Sequence, residues 1–386
     1  MRLRVLRWGL HGLLPGLVVS ALTGQVAADW SGHIKGLGQS IDNDAFIASD
    51  LRLKTQVDQL ADHQAWSFKF DYQLQAAASD GIRNLPRPND KTQVFNLQHS
   101  LLNEQDVIAQ HRIDRLSVSY TQANYSLHLG RQAFSWGQGQ IFNPLDLFNP
   151  FAPTAFDKEY KPGSDMIHAQ YLMDSGDDFS LLAVPRRNIQ TGNIEQDQSS
   201  FAAFWRHFAT IETHIMLAKD YDDTVLGLSF GGNWLDGQWN LELMPTQLDN
   251  GDIKTSALIN YHQAWSWLER NVTGFIEGFY NSFGEADAKP TTLSNELAVR
   301  IARGQLFTKN QYYLGLGGTM EITALSSLSA SALQNLQDNS GLIMLNGVYS
   351  LSNTQQLLLG IQQAIGANNS EFETTTQAYI QWAAYF

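Results

Sequence analysis

The sequence predicts an all-β chain, a transmembrane antiparallel β-barrel of about eighteen strands, with sixteen the nearest alternative. Three observations carry the prediction. Residues 29–386 divide into segments of roughly ten residues in which apolar and polar side chains alternate, the period of a strand with one face in lipid. The connections between those segments alternate between short and long. The chain also ends on an alternating run: Ala378, Ile380, Trp382, Ala384 and Phe386 share an apolar face opposite Tyr379, Gln381, Ala383 and Tyr385.

Residues 1–28 have the form of a secretory signal peptide. Arg2, Arg4 and Arg7 form a basic start, Leu13 to Leu22 a short apolar core, and Val26-Ala27-Ala28 a small-residue cleavage site. The apolar run is well short of the ~20 residues of a spanning helix. The expected organisation is a signal peptide, 1–28, and one barrel, 29–386. The expected location is the outer membrane of a Gram-negative cell, after Sec-type export and cleavage near Ala28. Cysteine is absent, which excludes disulfides, thiolate metal sites and lipid attachment through Cys. Mean hydropathy is −0.25, too polar for a helical bundle but suited to a barrel, where only alternate residues meet lipid. The net charge of −13 becomes −16 once three arginines leave with the signal peptide. That charge excludes nucleic acid as a partner and predicts an acidic pore or outer face favouring cations.

The alternation predicts strands over 30–41, 49–59, 65–77, 112–121, 124–134, 165–173, 178–187, 200–206, 209–218, 223–234, 237–247, 253–265, 270–281, 293–303, 310–321, 341–350, 354–365 and 374–386. With the N-terminus in the periplasm, every connection on that side is short. The outer side receives the long ones: 78–111, 135–164, 188–199, 282–292 and 322–340. Within the last, Leu325, Leu328, Leu333 and Leu336 have mostly helical spacing and predict a helix in an outer loop.

An arginine or lysine facing lipid near the midplane costs about 2–4 kcal/mol. The alternation therefore turns Lys69, Asp71, Glu212, Glu242, Glu296 and Arg300 toward the bore, with Arg115, His128 and Gln132. Arg131 is in phase with lipid-facing Leu127 and Leu129. A bulge at Gly130 is expected to turn it inward; a place at the outer interface is the alternative. Arg186 and Arg187 end a strand near the outer rim, where they suit either an ordered field in the pore or lipopolysaccharide contacts.

The densest segment runs from Gly130 to Gly163. Asn143-Pro144, Asn149-Pro150, Pro153 and Pro162 restrict its backbone. Phe134, Trp136, Ile141, Phe142, Leu145, Leu147, Phe148, Phe151 and Phe156 make it too apolar to sit in water. It is expected to fold into the barrel mouth and narrow the channel, or to pack under the other loops; a purely structural cap on the rim is the alternative. Its charges Asp146, Asp157, Lys158 and Glu159 are candidates for the narrowest point.

Gly130-Arg131-Gln132, Trp136-Gly137-Gln138-Gly139 and Asn143 through Phe151 resemble a recurrent pattern in largely uncharacterised, porin-like outer-membrane proteins of Gram-negative bacteria. The Gly-Arg-Gln piece is also similar to alginate-export-like barrels. The resemblance covers this segment only. It implies an outer-membrane barrel with a loop-restricted channel and names no solute. Phe386 resembles the terminal signal read by the barrel-assembly machinery, which implies that partner alongside outer-membrane lipid and lipopolysaccharide; a homo-oligomer is compatible with it.

No His spacing matches a metalloprotease helix and no GxSxG is present, so an enzyme is not expected, nor a cofactor or metal. A TonB-dependent receptor needs a plug domain before its barrel, and the first strand here starts directly after the signal. The expected function is diffusion of small hydrophilic solutes through a loop-restricted lumen. The rivals are export of a polysaccharide or hydrophobic product with a periplasmic or inner-membrane partner, and a barrel that binds at the surface without transporting.

Overall fold

The computed structural model describes residues 27–42, 44–61, 64–79, 90–148, 150–152, 158–287 and 293–386. Most of the predicted signal peptide, together with Asn149, Phe156 and Asp157, lies outside the described residues.

One antiparallel sheet closes on itself. Its strands are β1 (Ala27–Ile41), β2 (Asp44–Ala61), β3 (Gln64–Ser79), β4 (Gln98–Asn103), β5 (Val107–Gln122), β6 (Tyr125–Gln132), β7 (Ser164–Leu172), β8 (Asp178–Val184), β9 (Ser200–His207) and β10 (Glu212–Asp220). They continue as β11 (Asp223–Trp234), β12 (Gly237–Gln247), β13 (Ile253–Trp267), β14 (Arg270–Asn281), β15 (Tyr312–Thr323), β16 (Ser326–Asn335), β17 (Gly341–Ser352), β18 (Gln355–Ile365) and β19 (Thr375–Tyr385). β19 pairs with β1 from His33 opposite Tyr385 to Ile41 opposite Gln377, and this seam closes the cylinder. Eighteen strands form the wall. β4 is an addition: it pairs only with the upper half of β5, above the place where β6 joins the lower half.

The two ends differ as the connection lengths require. At one end the described turns span 123–124, 173–177, 208–211, 235–236, 268–269, 324–325 and 353–354. Ala123, Leu235, Leu268 and Glu269 take positive φ there, the twist that two-residue hairpins need. The opposite end carries the long segments 80–106, 133–163, 185–199 and 282–311. Closure leaves the eighteen wall strands without a free edge, and every second side chain faces out. Leu217, Ile259, Leu316 and Ile361 stand exposed on the outer face. Toward the short-turn end they give way to Trp66, Tyr125, Tyr171, Trp234, Trp265 and Trp267, an aromatic belt.

Two sequence expectations are corrected, and they compensate in the strand count. Residues 293–303 are not a strand: α1 (Asn295–Ala302) lies there, inside the 282–311 segment, with Leu297 buried. Leu297, Val299 and Ile301 fit a period of two, but Leu297 and Ile301 also fit the helical i, i+4 spacing, and the first decided wrongly. Residues 324–336 are not a helix. They contain β16, whose exposed Leu328 alternates with Ser327 and Ser329. The inward Leu333 broke the polar-in pattern because it packs on the inward loop.

Candidate permeation pathway

From the top of β6 the described parts of the segment 133–163 turn into the bore instead of covering it. Trp136 stacks on Phe204 of β9 at 4.6 Å and 6°. Leu145, wholly buried, joins Met216, Val225 and Met244 from β10, β11 and β12. Phe142 stacks on Phe279 of β14 at 4.2 Å and 12°, beside Leu258, Tyr313, Leu333 and Leu342. Several inward positions of β7–β17 are apolar here, among them Phe204, Met216, Leu258, Phe279 and Leu333, because they meet this loop.

A buried loop must find partners for its backbone amides. Two wall carboxylates supply them. Glu242 Oε1 accepts from Gln138 N at 2.6 Å. Glu277 accepts three: Gln140 N (2.6 Å) at Oε2, and Ile141 N (3.0 Å) and Phe142 N (2.8 Å) at Oε1. Asn260 Nδ2 donates to Gln138 O at 3.1 Å. The Trp-Gly-x-Gly motif serves this turn: Gly137 has φ +95°, and a Cβ on it would meet the Asn143 amide. The loop is also tied to itself. Lys161 Nζ donates to Asp146 Oδ1, Ser135 Oγ and the Phe134 carbonyl, each at 2.6 Å. Burial lifts the Asp146 carboxyl above its usual range, and Lys161 beside it offsets part of that.

The loop fills one side of the bore and leaves the side of β1–β5, β18 and β19 open. A cavity of about 1200 Å³ lies there, lined by Lys35, Asp50, Arg52, Gln73, Gln110, Arg112, Asp114 and Tyr160, among others. At its centre Asp114 meets Arg52 (2.9 Å), Arg112 (2.6 Å) and Arg115 (2.6 Å). The ladder between β3 and β5 shifts register where Asp71 faces Arg115 and Tyr72 faces Ile113, which leaves Asp114 as the extra residue of a bulge. Tyr160, on the returning limb of the loop, lies under Arg52 at 4.2 Å and Lys54 at 4.3 Å. Toward the long-loop end the cavity adjoins one of about 830 Å³ that shares Arg112 and Pro162 and reaches Arg186 and Arg303. Both guanidinium groups lie over Tyr221, at 4.7 and 3.5 Å. Toward the short turns it adjoins one of about 460 Å³ that shares Lys35 and Gln381 and includes Lys158 and Glu159. A lane of adjoining spaces thus runs along one side of the loop, and its bases outnumber its acids.

The predicted residues divide accordingly. Lys69, Asp71, Arg115, His128, Gln132 and Glu212 are on inward positions of the wall; His214 bonds Glu212 at 2.7 Å. Glu242 points inward but is fully buried under the loop, so it holds the loop and lines no open space. Glu296 and Arg300 are corrected with their strand: both ride α1 at the long-loop end, Glu296 exposed and Arg300 bonded to Asp223. Arg131 is also corrected. The register runs through Gly130 and Arg131 without a shift, and the strain is taken up by a φ of +113° at Gly130. The Arg131 side chain is buried against Asp165 (2.9 Å), Asp90 (2.5 Å) and the Phe95 carbonyl (2.5 Å). In the loop, Trp136 and Phe148 are core, Asn143 packs on Gly137, Asp146 is held by Lys161, and Phe151 lies nearer the mouth. Lys158 and Glu159 reach the lane, where Lys35 pairs with Glu159 at 2.5 Å.

Sequence reasoning missed Lys35, Arg52, Lys54, Arg112, Asp114, Tyr160 and Glu277. Arg52 and Lys54 carry a signal, since they alternate with Leu51 and Leu53. Glu277 gives none, because its role depends on a loop more than a hundred residues away.

Geometry alone defines the class: a closed eighteen-strand antiparallel barrel with an inward loop. No family model matches the chain, and no curated protein matches it by sequence. Its fold is similar to solved barrels. Pseudomonas aeruginosa OpdK, solved with vanillate, is 8% identical at a TM-score of 0.59, covering 93% of this chain and 98% of that one. Pseudomonas aeruginosa OccK5 (OpdH) is 8% identical at 0.57, covering 94% and 98%. Acinetobacter baumannii OccAB1 is 6% identical at 0.56, covering 94% and 96%. At such identities the likeness is one of fold.

Proposed function

We propose that this protein is an outer-membrane channel through which small hydrophilic solutes diffuse, and that its lane prefers anions. The aromatic belt, the apolar outer face and the short-turn/long-loop asymmetry support a barrel in the outer membrane with the short turns periplasmic. The observation that carries the reading is the chain of polar cavities beside the loop, from Arg303 and Arg186 through Arg112 and Arg52 to Lys35 and Lys158. The acidic composition pointed to cations. The two acids deepest in the plugged side, Glu242 and Glu277, are committed to loop amides, which leaves a basic lining along the path. The similar fold of OpdK, solved with the carboxylate vanillate, agrees with an anionic solute. The residues used in the lane hold, orient and repel charge, and no step here breaks a bond.

Planar-bilayer recording tests the reading. Discrete conductance steps are expected, with a reversal potential shifted toward the chloride value. Deleting residues 138–160 should raise the conductance several-fold. Absence of steps from both forms would sink the channel; a shift toward potassium would sink the anion preference alone.

A further inference from the structure

Sending a loop into the bore shortens the wall. The chain leaves the wall after Gln132 and rejoins it at Ser164, so β6 has 8 residues and β7 has 9, against 16 in β5. β6 therefore meets only residues 116–122 of β5. An unpaired upper edge on β5 would be costly in a membrane wall. β4 covers that edge, from Gln98 opposite Arg112 to Asn103 opposite Ile108, and Ile113 N donates to Leu97 O at 3.0 Å. The same segment reaches the other side of the gap. Just beyond β8, Arg187 N donates to Thr92 O (2.8 Å) and Arg187 Nε to Val94 O (3.0 Å). Asp90, Thr92 and Gln93 line the outermost cavity of the lane together with Arg186 and Arg303.

The segment stands on the upper ends of β6 and β7, where Arg131 and Asp165 face each other in register. Asp165 Oδ2 accepts from Phe95 N (2.8 Å), and Asp165 N donates to Gln93 Oε1 (2.9 Å). The fully buried Arg131 guanidinium bonds Asp165 through Nε (2.9 Å) and Nη2 (3.1 Å), Asp90 through Nη1 (2.5 Å) and Phe95 O through Nη2 (2.5 Å). Asp90 Oδ2 also accepts from Leu97 N at 3.2 Å. One cation thus ties two strand ends to the segment above them, and removing it would leave two buried carboxylates uncompensated. We propose that residues 90–103 are a panel that replaces the missing upper parts of β6 and β7, and that Arg131 is the positioning residue that seats it and so fixes the outer entrance of the lane; that last step rests on the protein being the channel proposed above.

The test combines a distance with a current. The chain has no cysteine, so Asn96→Cys on the panel and Asn368→Cys on the far rim, both exposed, take a unique pair of spin labels. Double electron–electron resonance on the protein in lipid nanodiscs should give one narrow distance distribution. Arg131→Ala should broaden it about twofold, and Asp90→Ala, which leaves Arg131 paired with Asp165, should broaden it in the same direction. Folding of both variants is checked by heat-modifiable gel mobility. In planar bilayers Arg131→Ala, without the labels, should raise open-channel current noise about twofold, since a loosened panel moves beside the lane. A distribution unchanged in both variants would overturn the seat. A broadened distribution with current like that of the parent would overturn the link to the entrance. A parent without conductance steps would sink the channel and the entrance with it, while the distances still decide the seat.

Discussion

The two sides of the bore are built on opposite terms. On the side of β7–β17 two apolar clusters face the loop, and the buried Glu242 and Glu277 there accept from loop amides. On the side of β1–β5 the inward face carries Arg52, Arg112, Arg115 and Lys35 around Asp114 and Asp50, and space remains between them. The same strand period produces both. What differs is whether the inward residue meets protein or water. The sign of a chain's net charge therefore says little about its pore, because acids bonded to backbone are not available to a passing ion.

The largest effect on this contrast should come from Glu277→Ala. It leaves the Gln140, Ile141 and Phe142 amides without an acceptor, at about 1–3 kcal/mol for each buried group. The loop should leave the wall, conductance should rise several-fold with added noise, and the barrel should still migrate as folded on unheated gels. Conductance like that of the parent would show that apolar packing holds the loop alone.

Next is Arg52→Gln, which removes one charge from the lane while Arg112 and Arg115 keep Asp114 paired. A unit charge at about 4 Å in water is worth about 1 kcal/mol, so the anion-to-cation permeability ratio should fall about fivefold. An unchanged ratio, read from reversal potentials under a salt gradient, would mean that ions travel elsewhere. A smaller change is expected at Tyr160, whose ring faces Arg52 and Lys54. Tyr160→Ala should raise both conductance and anion preference, while Tyr160→Phe, which keeps the ring, should match the parent. Equal behaviour of the two variants would assign Tyr160 no part in either property.

The smallest effect concerns pH at the outer loops. Glu371 accepts from Tyr313 Oη (2.5 Å), Asn335 Nδ2 (2.8 Å) and Lys309 N (2.5 Å), and burial raises its carboxyl above the free value of 4.5. A raised folded pKa means that the folded state holds the proton more tightly. Its contribution is complete below 4.5 and disappears as pH climbs through the folded value. The melting temperature of the parent should therefore decline across that window relative to Glu371→Gln. Parallel curves from calorimetry would contradict this.

Most of the wall was readable because lipid permits few exceptions. Phe68, Phe70, Tyr72 and Leu74 alternate with Lys69, Asp71, Gln73 and Gln75, and the structure keeps that phase. Reading failed where an inward residue met protein. Leu333 looked helical because it packs beneath the loop, and Leu297, Val299 and Ile301 looked like a strand because a short helix with one buried leucine has little periodicity to show. Arg131 could not be placed by phase, since its partners Asp90, Phe95 and Asp165 come from distant stretches of chain.

The amino-acid order by itself determined a closed wall, the division into short-turn and long-loop ends, and the entry of an apolar, proline-stiffened segment into the bore. These follow from local periodicity and from the cost of exposing apolar surface or burying unpaired backbone. Only the tertiary structure decided which half of the bore that segment fills and which charges stay open to solvent. Both depend on contacts such as Phe142 with Phe279 and Gln138 N with Glu242, made between residues far apart in sequence, and no local pattern encodes them.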